Sequence, residues 1–90
     1  MSPVEDERTD MWYAQVRLRT FDDWPKYLFP RKEQLASAGF TYTGKGDKVK
    51  CFKCGVLLRD WCPTDNAFKE HLAWSKNCEF LQTCYVGKKD

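Results

Sequence analysis

One spacing constrains this chain more than any other. Cys51-Phe52-Lys53-Cys54 is followed by sixteen residues, then His71, then six residues, then Cys78. Three thiolates and one imidazole complete a tetrahedral zinc site. The tight cysteine pair supplies two ligands from one turn. A helix is expected to present His71, the only histidine of the chain, and the segment after it to return Cys78. The opposing reading makes these ordinary buried or disulfide-bonded cysteines. It has less support, because the first ten residues are polar and acidic and show no secretory signal. One structural Zn²⁺ is therefore expected, held by Cys51, Cys54, His71 and Cys78. Three thiolates against one dication leave about −1 of formal charge, which Lys50 and Lys53 are near enough in sequence to offset.

The size of the chain explains why a metal matters. Ninety residues make one domain. Such a chain buries only about 60–65% of its unfolded surface, so its core is thin. Structural zinc contributes on the order of 10 kcal/mol in small modules. The net charge of +2, with basic and acidic residues interspersed, argues against a nucleic-acid footprint. No apolar run reaches the length of a membrane span. A reducing compartment is expected, the cytoplasm first and the nucleus second, with Cys62 and Cys84 as free thiols. An enzyme is not expected. The single histidine is committed to the metal, and a closed ligand sphere leaves no position for water.

Along the chain, Ser2-Pro3-Val4-Glu5 has the form of a capping box. Trp12 with Val16, and Ala14 with Leu18, make one apolar face of a helix over Thr9 to Arg19. Pro25 ends helical structure before Trp24; Phe21 and Trp24 read as core anchors. A short helix follows from Pro30 to Ala38, with Leu35 and Ala38 inward, and Gly39 is placed to end it in the left-handed conformation. Phe40 to Thr43, Val49 to Phe52 and Val56 to Asp60 read as three antiparallel strands, with a turn at Gly44-Lys45-Gly46-Asp47. Asn66 is a good N-cap for a helix to Trp74 or Ser75 that turns Phe68 and Leu72 to the core. Cys78 opens a last helix, with Phe80, Leu81, Cys84 and Tyr85 on one face. The expected fold is a small α+β zinc domain: a three-stranded antiparallel sheet with four or five short helices around it. Residues 1–8 are expected as a tail, 9–86 as the domain and 87–90 as a polar end.

Several separated stretches resemble one family, over roughly residues 10 to 85. They are Arg17-Leu18-Arg19-Thr20-Phe21, Trp24-Pro25, Leu35-Ala36-Ser37-Ala38-Gly39-Phe40, Tyr42-Thr43-Gly44 and Gly46-Asp47-Lys48-Val49-Lys50-Cys51-Phe52. Cys54-Gly55, Leu58, Asp60-Trp61 and His71 through Cys78 complete the set. The chain resembles the BIR domain, the baculoviral IAP repeat of inhibitor-of-apoptosis proteins. The resemblance implies a zinc held by three cysteines and one histidine, in the ligand order given above.

It also implies a function: docking a partner's free N-terminus, Ala followed by an apolar tail, between the third strand and the next helix. By position, the backbone of Leu57, Leu58 and Arg59 would pair with the peptide as an added strand. Leu58 and Trp61 would wall a pocket for the Ala side chain. Asp65 and Glu70 would receive the ammonium, with Asp60 nearby, and Trp74 would pack on the third peptide residue. The implied partners are processed caspases and the antagonists that displace them, with the isolated domain a monomer. Three positions depart from well-known members. Leu57 stands where Gly is frequent, Ser75 where an aromatic is common, and Glu70 where Gln is common. Each groove residue also has a plainer reading: Trp61 as core, Asp65 as a helix-start residue, Glu70 as solvated surface.

Other functions remain to be weighed. A mitotic BIR that reads histone tails would carry a long helical extension. A nucleic-acid-binding finger would display Arg and Lys on its helix, where Asn66 to Trp74 has only Lys69 beside Glu70. A third possibility is an adaptor surface that does not use the groove. The chain has no RING-type cysteine cluster to support ubiquitin ligation.

Overall fold

The computed structural model describes residues 11–83. Helix α1 spans Ala14–Arg19 and α2 spans Lys32–Ser37. Strands β1 (Phe40–Tyr42), β2 (Val49–Cys51) and β3 (Leu57–Leu58) form one sheet in the order β1-β2-β3. Helix α3 spans Ala67–Trp74, and residues 79–83 are helical again. The antiparallel register sets Phe40 opposite Cys51 and Val49 opposite Leu58. Both members of each pair point inward. The core lies between this inner sheet face and the helices: Phe21, Trp24, Leu35, Ala38, Phe40, Val49, Phe80 and Leu81 are all buried. The expected α+β architecture is present.

The first helix differs from expectation. It begins at Ala14, and Trp12 and Ala14 are exposed. Residues before Met11 lie outside the described ones, as do the Ser2–Glu5 capping box, Cys84, Tyr85 and both tails. The buried residue of α1 is Arg17, 2% exposed. Its Nε donates to Ala36 O at 2.7 Å and its Nη1 to Met11 O at 2.6 Å. Its guanidinium lies 4.8 Å from the Phe80 ring centre and 5.1 Å from that of Phe52. Periodicity of apolar residues could not reveal this, because the inward position holds a charge satisfied by carbonyls and aromatic faces.

Other boundaries shrink for local reasons. Pro30 and Arg31 precede the second helix, whose N-cap Arg31 has extended backbone. The third strand ends early because Asp60 has a φ of 59°, which turns the chain out of the sheet. Thr20 joins helix to sheet: its Oγ1 donates to Arg17 O at 2.6 Å and accepts from Tyr42 N at 3.0 Å. Asn66 caps α3 as expected, its side chain accepting from Lys69 N at 3.0 Å. Gln34 from α2 adds a second acceptor there, for Ala67 N at 2.7 Å. Phe68 and Leu72 are half-buried against the core; Ala67 and His71 are the deeply buried residues of α3.

Candidate metal centre and peptide groove

The hairpin between β2 and β3 forms the first half of the metal site. Cys51 ends β2, and Gly55 N donates back to Cys51 O at 3.1 Å. The tight turn aims two backbone donors, Lys53 N and Cys54 N, at Cys51 Sγ, each at 3.3 Å. The second half comes from α3 and the turn after it, which deliver His71 and Cys78. One ligand atom from each of the four residues lies within 4.8 Å of the others. A tetrahedral zinc with Zn–S near 2.3 Å and Zn–N near 2.0–2.1 Å requires S···S edges of about 3.8 Å and S···N edges of about 3.5 Å. Cys51 Sγ lies 3.7 Å from Cys78 Sγ, and Cys54 Sγ lies 3.5 Å from His71 Nε2. The side chains are thus spaced for zinc, and the domain is a zinc domain with one structural metal.

Orientation of the imidazole is settled by its other nitrogen. His71 Nδ1–H donates to Ala38 O at 2.7 Å, leaving Nε2 unprotonated and facing the cysteines. Gly39 makes that approach possible. Its φ is +99°, and a Cβ there would meet Phe80 Cδ2 at 2.7 Å and His71 Cε1 at 3.4 Å. Burial lowers the pKa of His71, partly opposed by its hydrogen bond to Ala38, so the ring stays neutral and ready to ligate. Burial pushes the Cys51 thiol up to about 12 in the absence of metal, despite the Cys54 and Lys53 amides. For Cys54 burial also raises the pKa, but bonds from the Ser75 side chain and the Val56 backbone outweigh it and leave it lowered. Metal binding must therefore displace thiol protons.

Charge compensation takes a different form from the sequence expectation. Lys53 Nζ pairs with Glu79 at 3.3 Å and lies 5.4 Å from the Trp12 ring centre. Lys50 is exposed on the outer sheet face. The Lys53 and Cys54 amides, rather than lysine side chains, are what lie against the sulfur. Cys62 is a free, exposed thiol.

On the other side of α3 lies a groove. A pocket of about 210 Å³ is lined by Leu58, Arg59, Asp60, Trp61, Asp65, Glu70 and Trp74. A second of about 270 Å³ adjoins it, sharing Leu58, Arg59, Asp60 and Trp74 and adding Leu57. The eight residues expected around the groove thus line two adjacent hollows beside β3. Trp74 is 68% exposed and Leu57 48% exposed. Trp61 is half-buried, edge-on to Phe40 at 5.8 Å between ring centres. Its Nε1–H is buried without a partner among the described residues. One oxygen of Asp65 accepts from Cys62 N at 2.8 Å, which fixes the carboxylate at the mouth of the pocket.

Sequence reasoning missed Asp47. Its two carboxylate oxygens accept from Asp60 N at 3.1 Å and Trp61 N at 2.9 Å. This pair of hydrogen bonds holds the corner where β3 turns into the groove wall, and it compensates the positive φ of Asp60. An Asp beside Gly46 signals a local turn; nothing in the sequence gives a partner thirteen residues away.

Comparison with known proteins agrees with these features. Residues 17–82 match the family model described as "BIR: Inhibitor of Apoptosis domain". The chain is 53% identical over 73 residues to a putative apoptosis inhibitor, ORF99, of Ostreid herpesvirus 1, covering 81% of this chain and 29% of that protein. It is 51% identical over 66 residues to the E3 ubiquitin-protein ligase IAP-3 of Orgyia pseudotsugata multicapsid polyhedrosis virus, covering 73% of this chain and 25% of that protein. The chain therefore spans less than a third of these relatives. Among solved structures, DIAP1 BIR1 bound to a Grim peptide superposes with a TM-score of 0.74 at 44% identity, covering 82% of this chain and 75% of that one. With the zinc ligands, the sheet and the helices all in agreement, the chain belongs to the BIR family, the inhibitor-of-apoptosis domain.

Proposed function

We propose that this BIR domain captures short peptides by their free N-terminus, with Ala first, in the groove between β3 and α3. The observation that carries this reading is a single pocket beside an open sheet edge, lined at once by Asp65, Glu70, Trp61 and Trp74. Strand β3 is the last of the sheet, so its outer backbone groups are free to pair with an added strand. Leu58 and Trp61 line this pocket and would flank the Ala side chain. Asp65 and Glu70 supply acceptors for an ammonium, whose burial is costly without them. Trp74 offers a flat exposed face for the third residue. The DIAP1 BIR1 complex with a Grim peptide supports the same use of the fold.

Zinc supplies no chemistry in this scheme beyond fastening the hairpin to α3. The domain acts as a binding module; ligase activity, as in the name of the IAP-3 relative, would need other parts of a longer protein. Partners in keeping with the groove are processed caspases and apoptosis antagonists whose cleavage exposes an N-terminal Ala, met in the cytoplasm. Titration of a fluorescent Ala-Val-Pro-Phe peptide, with its N-acetylated form as control, tests the reading. Micromolar binding of the free peptide and none of the acetylated one is expected; equal binding of both would remove Asp65 and Glu70 from the site.

A groove-independent adaptor role is the second reading. It is favoured by Tyr27 and Phe29, 80% and 41% exposed, on the loop beside a separate hollow of about 230 Å³ bordered by Trp24, Leu28 and Arg31.

A further inference from the structure

Resting on the groove reading above, we propose that Arg59, with Lys48 and Lys50 behind it, makes the domain select an acidic second residue in the peptide it captures. The direction of the peptide follows from the groove. Asp65 and Glu70 lie beyond the C-terminal end of β3, so a peptide held there by its ammonium runs back toward Leu57, antiparallel to β3. Its fourth residue falls opposite Leu57 and its third opposite Leu58; continuing that register by one residue sets its second opposite Arg59, and its first lies at the turn made by Asp60.

Side chains directly opposite across an antiparallel pair share one face of the sheet. Leu58 is 9% exposed and faces the core, while Leu57 is 48% exposed and faces out. Arg59, two residues after Leu57, is exposed as well. The even residues of the peptide therefore emerge on the outer face. Lys50 stands opposite Leu57 in the sheet and belongs to that face. Lys48 stands just before β2, and the β2–β3 register continued by one residue sets it opposite Arg59.

The charge on this face is mostly positive. Arg59 Nε lies 3.7 Å from Asp60 Oδ2, with both side chains well exposed at 61% and 86%. A pair so solvated is weak and exchanges partners readily. Asp47 is occupied by the Asp60 and Trp61 amides. Neither Lys48 nor Lys50 has an ion pair among the described residues. Across from Lys50, Thr41 contributes only a hydroxyl, which donates to Lys50 O at 3.2 Å. A carboxylate on the second peptide residue would stand opposite Arg59, with two further cations on the same face. The ligand is thus read with opposite signs at adjacent positions: a cation at its terminus on the Asp65 and Glu70 side, an anion at its second residue on the outer side.

The test uses the zinc-loaded domain and fluorescence anisotropy with four peptides: Ala-Glu-Pro-Phe, Ala-Gln-Pro-Phe, Ala-Lys-Pro-Phe and N-acetyl-Ala-Glu-Pro-Phe. At low ionic strength the Glu peptide should bind about threefold tighter than the Gln peptide and up to about tenfold tighter than the Lys peptide, the range of an exposed cross-strand charge pair. The differences should shrink in about 0.5 M salt. Arg59→Gln should flatten the ranking and Arg59→Glu should invert it, with the melting temperature unchanged because Arg59 is exposed. Equal affinity for the Glu and Gln peptides, with the acetylated peptide silent, would overturn the selection while leaving the groove in place. Binding of the acetylated peptide would overturn both.

Discussion

Helix α3 has two sides that do opposite things. On one, His71 is fully buried, its ring held by Ala38 and faced by sulfur. On the other, Glu70 and Trp74 border an open groove, and Trp74 is 68% exposed. On the zinc side Cys51, His71 and Cys78 are buried, and the second nitrogen of His71 and the sulfur of Cys51 are held by backbone groups. The groove side keeps an unpaired strand edge, two carboxylates and an exposed indole. A chain with so thin a core can leave a strand edge and an indole open because the metal on the far side of the same helix fixes α3 against the sheet. Stability and recognition should therefore be separable by mutation, residue by residue along one helix.

The largest effect should come from the metal. Chelation of zinc, or Cys78→Ser, should remove on the order of 10 kcal/mol and unfold the domain. Cys62→Ser should leave zinc content and folding unchanged, because Cys62 is exposed and outside the cluster. A metal assay and far-UV circular dichroism read both. Acid should act through the same site. His71 has a lowered pKa in the folded state, from burial first. The unfolded chain then binds more protons as pH drops below the ordinary value of about 6.5, so stability falls there. Zinc on Nε2 steepens the loss. A denaturant midpoint that stays constant from pH 7 to about 5 would speak against a zinc-bound imidazole.

Gly39→Ala comes next. The added Cβ would meet the Phe80 ring at 2.7 Å in a backbone of φ +99°. We expect a loss of about 3 kcal/mol from strain and overpacking combined, read as a lower urea midpoint. Trp74→Ala should do the reverse of a zinc-side change. It should weaken peptide binding by about 2 kcal/mol and move the melting temperature little, since the indole is mostly in solvent. Asp47→Ala touches both properties, with a smaller effect on stability than Gly39→Ala and a smaller effect on binding than Trp74→Ala. It frees the Asp60 and Trp61 amides, costing about 1–2 kcal/mol of stability. The Trp61 wall should loosen with it, with a several-fold drop in peptide affinity by titration calorimetry.

The two sides also differed in how far the sequence revealed them. Cys51, Cys54, His71 and Cys78 were legible because metal ligation demands particular residue types at particular spacings. The core anchors Phe21, Trp24 and Leu35 and the Asn66 cap followed from local pattern. Arg17 was not legible, since no hydropathy pattern predicts a guanidinium satisfied by Ala36 O, Met11 O and two aromatic rings. Asp47 was hidden for the same reason: its partners are distant in sequence. The groove residues were found only through family resemblance. Half-buried acids and a tryptophan carry no spacing rule of their own, and what brings them together is the turn at Asp60 and the position of β3 at the sheet edge.

The central claim is that Asp65 and Glu70 hold a charged N-terminus while zinc holds the scaffold. Its most direct test is calorimetry of zinc-loaded wild type and Asp65→Ala with two ligands of equal bulk. One is Ala-Val-Pro-Phe and the other its des-amino analogue, propionyl-Val-Pro-Phe, which keeps the methyl group and lacks the ammonium. In wild type the analogue should bind about 2–3 kcal/mol more weakly, the range for a buried charge-assisted hydrogen bond. In Asp65→Ala most of that difference should vanish, with zinc content and melting temperature near those of wild type. Equal affinity of the two ligands for the wild-type domain would contradict the account and leave strand pairing along β3 as the sole basis of recognition.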